Sequence, residues 1–162
     1  GPMISPAHLA KVRSYIELGS KEGATMLCGG VDAPDLPAAM RRGNFVKPTV
    51  FADVDNRMRI AQEEIFGPVQ AVIPFDDEAG ALAAANGTAF GLVAGVWTRD
   101  GSRALRLARK LQCGQVFVNN YGAGGGVELP FGGVRHSGHG REKGFEALYG
   151  FTALKTVVLR HG

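Results

Sequence analysis

The spacing of hydrophobic residues along the chain changes between the helical period and the strand period, and so predicts a mixture of helices and strands. Ser5 has the position of an N-cap, and Pro6 has that of a first helical residue. Leu9, Val12 and Ile16 follow at helical spacing and mark one buried stripe. The chain is therefore predicted to open with an amphipathic helix.

Apolar runs bounded by glycine, proline and acidic residues predict strands further along the chain. These strands cover residues 24–28, 45–54, 69–75, 93–98, 115–119 and 152–160. We expect Cys28 to pack within the first strand and the strand at 69–75 to be buried. Pro48 is expected to place the second strand at an edge or a bulge of the sheet, because proline cannot donate a hydrogen bond.

Helices are predicted between these strands. Carboxylates at residues 76–78 favour the start of one helix, and residues 141–149 indicate a short final one. Asp100 caps a further helix, whose inward face is predicted to hold Leu105, Leu107, Ala108 and Leu111. Because strands alternate with helices, we expect an α/β fold with layers, in which helices flank a largely parallel sheet.

Composition narrows the class of protein. The chain has 162 residues, of which 45% are hydrophobic and 20% charged, as expected for a soluble globular domain. No apolar run approaches the length of a membrane span, and no secretory signal opens the chain, so we expect no membrane partner. Cys28 and Cys113 are two separate thiols, which favours a reducing, cytoplasmic location.

Positive charge is concentrated in the C-terminal part, without indicating a nucleic-acid partner. Residues 101–162 carry nine Lys or Arg and three Asp or Glu. No aromatic residues are interleaved among them as a single-stranded nucleic acid would require, so we expect solvated helix faces. His136 and His139 lie three residues apart without a Cys or carboxylate pair at a ligand spacing, so no metal site is expected.

The most distinctive stretch is residues 62–68, which combine two carboxylates, one aromatic ring and a Gly-Pro pair. Pro68 stiffens this loop, and the apolar run behind it would anchor it. A carboxylate held in this way suits the vicinal diol of a ribose, and an aromatic ring suits a flat heterocycle. The alternative is a solvated acidic loop in which Phe66 plugs the core.

Three motifs carry a resemblance to a known family. The motifs are residues 63–69 (Glu-Glu-Ile-Phe-Gly-Pro-Val), residues 118–121 (Val-Asn-Asn-Tyr) and residues 130–144, which begin Pro-Phe-Gly-Gly. They resemble signatures of the NAD(P)-dependent aldehyde dehydrogenases and occur in the family's order. The resemblance implies that residues 1–150 form the C-terminal part of the catalytic domain. Residues 151–162 would form an oligomerisation strand, while the cofactor-binding domain and the nucleophile segment would lie upstream.

The resemblance also implies a chemistry. In this family an aldehyde is oxidised to a carboxylic acid with NAD or NADP through a cysteine thiohemiacetal. By position in the motif, Glu64 would hold the nicotinamide ribose hydroxyls, Phe66 would pack beside the nicotinamide, and Glu63 would be structural. Neither Cys28 nor Cys113 matches the family's nucleophile, so we expect no catalytic residue here and no activity without the N-terminal segment.

Several alternatives stay open. The chain could be a non-enzymatic subunit or oligomerisation module, and a homo-oligomer joined through the C-terminal strand is expected in either case. The motifs do not choose between NAD and NADP, and they do not identify the aldehyde. Residues 1–3 fit either a protease scar before a start codon or the family's own sequence. Residues 122–127 have glycines spaced similarly to a dinucleotide-binding fingerprint but lack its third glycine. Residues 122–126 also lack the bulky side chains that often narrow the aldehyde channel in this family, so the size of the substrate is left open.

Overall fold

The computed structural model describes residues 1–121 and 126–162, which divide into two compact units, Gly1–Thr88 and Ala89–Gly162. The first unit contains α1 (Pro6–Lys21), β1 (Thr25–Cys28), a 3-10 turn (Ala38–Met40), β2 (Thr49–Ala52), α2 (Arg59–Gln62), β3 (Val69–Ala71) and α3 (Glu78–Asn86). The second contains β4 (Val93–Val96), α4 (Gly101–Lys110), β5 (Gln115–Val118), a 3-10 turn (Arg135–Ser137) and α5 (Glu146–Gly150). The expected α/β class is confirmed. The predicted boundary at residue 150 stays a prediction.

In the first unit, α1 packs on a three-stranded sheet with the order β1-β2-β3. β1 and β2 are antiparallel, whereas β2 and β3 are parallel, with Thr49 opposite Val69. Val12 and Ile16 of α1 are buried against Phe51 of β2, as the predicted apolar stripe requires. Ser5 caps α1 as expected, because its hydroxyl accepts a hydrogen bond from the backbone N–H of His8 at 3.1 Å.

In the second unit, β4 and β5 form a parallel pair in register, from Val93 opposite Gln115 to Val96 opposite Val118. Asp100 caps α4 as predicted, since its carboxylate accepts from the backbone N–H groups of Ser102 (2.9 Å) and Arg103 (3.1 Å). The expected parallel pairing is thus present in both units, but in two small sheets.

Several expected strands are shorter or more exposed than the sequence suggested. The strand at 69–75 is regular only over Val69–Ala71, and Phe75 is 63% exposed, so the expectation of a buried strand was wrong. Cys28 is exposed rather than packed, because β1 pairs with one strand and all four of its residues are exposed. β2 is the middle strand of its sheet and not an edge strand, and Pro48 precedes it. The alternative of a bulge agrees with the pairing of β1 and β2, whose register is irregular between Met26 and Cys28.

The inward face of α4 differs by one position from the prediction. Leu105 is 62% exposed, whereas Ala104 is buried and Leu107 and Ala108 are half-buried. Residues 104, 107, 108 and 111 follow the helical spacing of one face, and residue 105 lies outside it. Leu105 was therefore wrongly assigned to the core.

The predicted strand at 152–160 is not formed in this single chain, whose last helix ends at Gly150. Its apolar side chains are exposed, including Leu154 (100%) and Val158 (88%). The physical reason is that a strand needs a neighbour to satisfy its backbone groups, and this segment has none among the described residues. Within those residues, no helix has the length and apolar character needed to cross a membrane.

Candidate functional site

The candidate site is the loop of residues 63–67, which joins α2 to β3 in the first unit. Burial alternates along it: Glu64 is exposed, Ile65 is 8% exposed, and Phe66 is 73% exposed. Ile65 belongs to the hydrophobic core and anchors the loop there. It is Ile65, and not Phe66, that fills the core, so the Glu64 and Phe66 side chains are both left on the solvent side.

The backbone of the loop is held in an unusual conformation. Phe66 has a φ of +57°, in the left-handed region that side chains with a Cβ rarely adopt. Nε2 of His8 lies 2.8 Å from the Phe66 carbonyl oxygen, to which it donates in the Nε2–H tautomer. The Lys11 ammonium donates to the Glu64 carbonyl oxygen at 3.2 Å. Two side chains of α1 thus fix the direction of two loop carbonyls.

The Glu63 carboxylate is held by both neighbouring helices. It accepts from the Tyr15 hydroxyl at 2.6 Å and from Nε and Nη2 of Arg59 at 2.6 and 3.0 Å. These hydrogen bonds, first those from Arg59 and then that from Tyr15, lower the pKa of Glu63 to about 2. The hydrogen bond to the anion raises the pKa of Tyr15. Glu63 therefore contributes a fixed, ionised carboxylate.

The start of α2, which precedes the loop, and the last residue of the loop are also held. The Glu22 carboxylate accepts from the backbone N–H groups of Arg59 (2.9 Å) and Ile60 (3.3 Å), where α2 begins. At the other end, a Cβ added to Gly67 would lie 2.6 Å from a methyl carbon of Val12, which is fully buried. Glycine is therefore required there by close packing against α1.

Glu64 contrasts with its neighbour. Within residues 1–121 and 126–162, no hydrogen bond or ion pair engages its carboxylate. A free carboxylate has two oxygens that can accept both hydrogens of a vicinal diol, and the exposed Phe66 ring offers an apolar surface two residues away. The two residues predicted from the sequence therefore have the exposure that binding a ribose and its attached heterocycle requires.

The residues that support the loop were not predicted from the sequence. His8, Lys11 and Tyr15 lie on α1 at spacings of three and four, which places them on one helix face. That spacing was a usable signal for a polar stripe. Its partner could not be identified from it, because the contacts span 48 to 58 positions of sequence.

The third motif, residues 130–144 in the second unit, is held by hydrogen bonds within the motif and by one to Gly91. Phe131 and Glu142 form an isolated antiparallel bridge, in which each backbone nitrogen lies 2.7 or 2.6 Å from the carbonyl oxygen of the other residue. Arg141 donates to the carbonyl oxygen of Gly133 at 3.0 Å, and Ser137 accepts from the Gly91 N–H at 3.0 Å. These bonds hold the backbone of the motif in place. The run at 122–125 lies outside the described residues.

Neither cysteine has the surroundings of a nucleophile. Burial raises the pKa of the Cys113 thiol, which disfavours the thiolate, and its sulfur contacts the Gln115 carbonyl oxygen at 3.2 Å. Cys28 is exposed on β1. In the part of the chain that the structure describes, no group of three or more His, Cys, Asp or Glu could hold a metal ion.

Comparisons with known proteins agree on one family. A sequence model described as the aldehyde dehydrogenase family matches residues 1–157. The chain is 54% identical over 145 residues to 5-carboxymethyl-2-hydroxymuconate semialdehyde dehydrogenase of Escherichia coli, covering 89% of the chain and 31% of that protein. It is 50% identical to betaine aldehyde dehydrogenase of Sinorhizobium fredii, covering 100% of the chain and 32% of that protein.

Solved structures give the same result. The crystal structure of Mycobacterium tuberculosis aldehyde dehydrogenase complexed with NAD+ matches with a TM-score of 0.91 and 44% identity, over 100% of this chain and 32% of that one. The NAD+ complex of aldehyde dehydrogenase from Bacillus cereus matches with a TM-score of 0.89 and 44% identity, over 97% and 30%. The chain thus spans about a third of the length of these relatives.

Proposed function

The chain belongs to the aldehyde dehydrogenase family, and we propose that Glu64 and Phe66 bind the nicotinamide riboside part of NAD or NADP in an enzyme that oxidises an aldehyde to a carboxylic acid. The observation that carries this proposal is the free Glu64 carboxylate on a loop in which the Glu64 and Phe66 carbonyl groups and the Glu63 side chain are held by α1. The NAD+ complexes among the solved relatives support the choice of cofactor class.

In this proposal Glu64 accepts hydrogen bonds from the two ribose hydroxyls. Hydrogen bonds to a charged group contribute about 1.5–3 kcal/mol each. Phe66 packs its exposed ring beside the nicotinamide end. When bound, NAD(P) supplies the hydride acceptor for aldehyde oxidation. The contribution of this chain is orientation, since holding the sugar limits the positions that the attached ring can take.

The nucleophile is proposed to lie outside residues 1–162, together with the domain that binds the rest of the dinucleotide. The surroundings of Cys113 support this assignment, because burial raises the pKa of its thiol and so disfavours the nucleophilic thiolate. We therefore expect the isolated chain to form no NADH from NAD and an aldehyde. Its two free cysteines favour a reducing compartment such as the cytoplasm.

Residues 151–162 are proposed to join copies of the protein by forming a strand against a neighbouring subunit. Their apolar side chains, among them Leu154, Val157 and Val158, are exposed in the single chain. An uncovered segment of this kind buries its surface most simply by adding to the edge of a sheet. The exposed C-terminal segment also favours the second candidate function, a non-enzymatic oligomerisation module, in which Glu64 would have no role.

Nicotinamide riboside is the probe that tests the proposed site in the 162-residue chain. Its affinity is measured by titration with saturation-transfer NMR, and Glu64→Gln is expected to weaken it about tenfold, as the loss of a charge-assisted hydrogen bond predicts. Glu17→Gln, which neutralises an exposed carboxylate of α1, is the matched control and should leave the affinity unchanged.

Two results would contradict the proposal. One is the absence of saturation transfer from the wild-type chain, which would favour the oligomerisation module. The other is equal affinity of the wild type and Glu64→Gln. Steady NADH formation by the isolated chain would instead overturn the assignment of the nucleophile to sequence outside it.

A further inference from the structure

We infer that Glu63 is a positioning residue for Glu64, and that Tyr15 and Arg59 are the groups that hold it in place. This inference rests on the proposed function, because it assigns a role in aiming the carboxylate that is proposed to bind the ribose. The two glutamates are neighbours in sequence with opposite surroundings. Glu63 has both carboxylate oxygens hydrogen-bonded, whereas Glu64 faces solvent.

The geometry around Glu63 leaves its side chain little freedom. Oε1 accepts from Arg59 at 2.6 Å, and Oε2 accepts from both Arg59 (3.0 Å) and Tyr15 (2.6 Å). A two-pronged arginine contact fixes the plane of the carboxylate, and the tyrosine adds a second direction from α1. Since adjacent residues share a peptide plane, a fixed Glu63 restricts the backbone angles with which the chain enters Glu64.

Arg59 is itself fixed, so the support extends one step further. Its backbone N–H donates to the Glu22 carboxylate at 2.9 Å, at the position where α2 begins. Arg59 and Glu63 are four residues apart along this short helical segment, which brings their side chains together. The ordered sequence of contacts runs from Glu22 through Arg59 and Glu63 to the residue proposed to bind the sugar.

The rest of the loop is held by side chains of α1. Lys11 and His8 contact the carbonyl oxygens of Glu64 and Phe66, and they share one face of α1 with Tyr15. Three side chains of α1 therefore define three points of a four-residue segment. Glu64 belongs to this segment, so the held backbone sets the direction in which its side chain leaves the chain. Displacements of about 1 Å in such binding groups are enough to weaken productive contacts.

The test measures preference for an intact diol rather than stability alone. The affinity of the 162-residue chain is determined for nicotinamide riboside and for its 2′-deoxy analogue, and the ratio is compared between variants. Tyr15→Phe removes one hydroxyl and keeps the ring, and it is expected to reduce this preference about three- to tenfold. Glu63→Gln, which weakens the contacts with both partners, should reduce it at least as much.

Asp55→Asn is the matched control, because Asp55 forms a comparable 2.6 Å ion pair with Arg57 in the same unit, and its hydrogen bonds are with Arg57 and Met58 rather than with residues 63–67. It should leave the preference unchanged. A lower melting temperature with an unchanged preference in Tyr15→Phe and Glu63→Gln would overturn the positioning role while leaving the proposed site intact. A wild-type chain with no preference for the diol would overturn the proposed function, and this inference with it.

Discussion

The hydroxyl of Tyr15 lies 2.6 Å from the carboxylate of Glu63, although 48 positions of sequence separate the two residues. This bond ties the first helix to the loop that presents Glu64 and Phe66. It accompanies the packing of Gly67 against Val12, so polar and apolar contacts hold the same segment. The loop geometry is consequently a tertiary property, which residues 62–68 alone could not maintain.

Acid stability should depend on Glu63. Its pKa is lowered to about 2 from an ordinary value of 4.5, chiefly by hydrogen bonding to Arg59. A carboxyl whose pKa is lower in the folded state stabilises the fold fully above pH 4.5, and this contribution is lost as the pH falls through about 2. Glu63→Gln should therefore lose less stability than the wild type as the pH falls through this range.

Urea unfolding at several pH values measures the free energy of unfolding of both proteins, with Glu17→Gln as the control. Parallel pH profiles of the wild type and Glu63→Gln would contradict the prediction.

Phe51→Ala should destabilise the first unit strongly. Phe51 is fully buried at the centre of the core, and removing a buried phenyl ring costs about 3–5 kcal/mol. Phe75→Ala is the matched control: Phe75 is largely exposed, so its removal should cost no more than about 0.5–1 kcal/mol. Denaturant unfolding followed by circular dichroism measures both. Similar losses would mean that the end of the 69–75 run is buried after all.

Gly67→Ala should lower stability by about 1–3 kcal/mol, because the new methyl group would overlap the buried Val12 side chain. Gly101→Ala provides the comparison, since a Cβ at Gly101 meets nothing within 4 Å and the residue begins α4. That substitution should be neutral or slightly stabilising, as alanine is the better helix former. Thermal unfolding of the two variants distinguishes close packing from a general intolerance of alanine.

Deleting residues 152–162 should reduce the molecular mass of any assembly that the chain forms in solution. The expected cause is loss of the exposed apolar segment around Leu154 and Val158, which is not part of the core formed by the described residues. Light scattering coupled to size-exclusion chromatography gives the mass, and the melting temperature of the shortened chain serves as the control for folding. Persistence of the full-length assembly would place the interface elsewhere.

The elements that could be predicted from sequence are those fixed by local chemistry. Ser5 and Asp100 cap their helices through contacts two or three residues away, so the starts of α1 and α4 are local properties. Leu105 was misassigned because hydrophobicity alone does not say which of two adjacent stripes meets the sheet. The strand at 152–160 was predicted from its β-branched residues, but a strand needs a neighbouring strand, which no property of the segment itself provides.

Glu64 and Phe66 were identified from a motif, and the structure adds the reason that they can be presented together. Ile65 between them is buried in the core, and both of its neighbours are exposed. The support from His8, Lys11 and Tyr15 could not be predicted in the same way. These residues contact the loop only once α1, β2 and β3 have packed together. Contacts between residues so far apart in sequence cannot be predicted from a single sequence.

The left-handed backbone at Phe66 lowers the stability of the fold, whereas the Phe66 ring that it presents is proposed to contribute to cofactor binding. Holding a phenylalanine at a φ of +57° costs about 1–2 kcal/mol, which glycine at the same position would avoid. An engineer who optimised this protein for heat resistance alone would be drawn to that replacement, and would delete the ring proposed to face the nicotinamide. Thermostabilised descendants of this chain should therefore be screened for coenzyme affinity as well as for melting temperature.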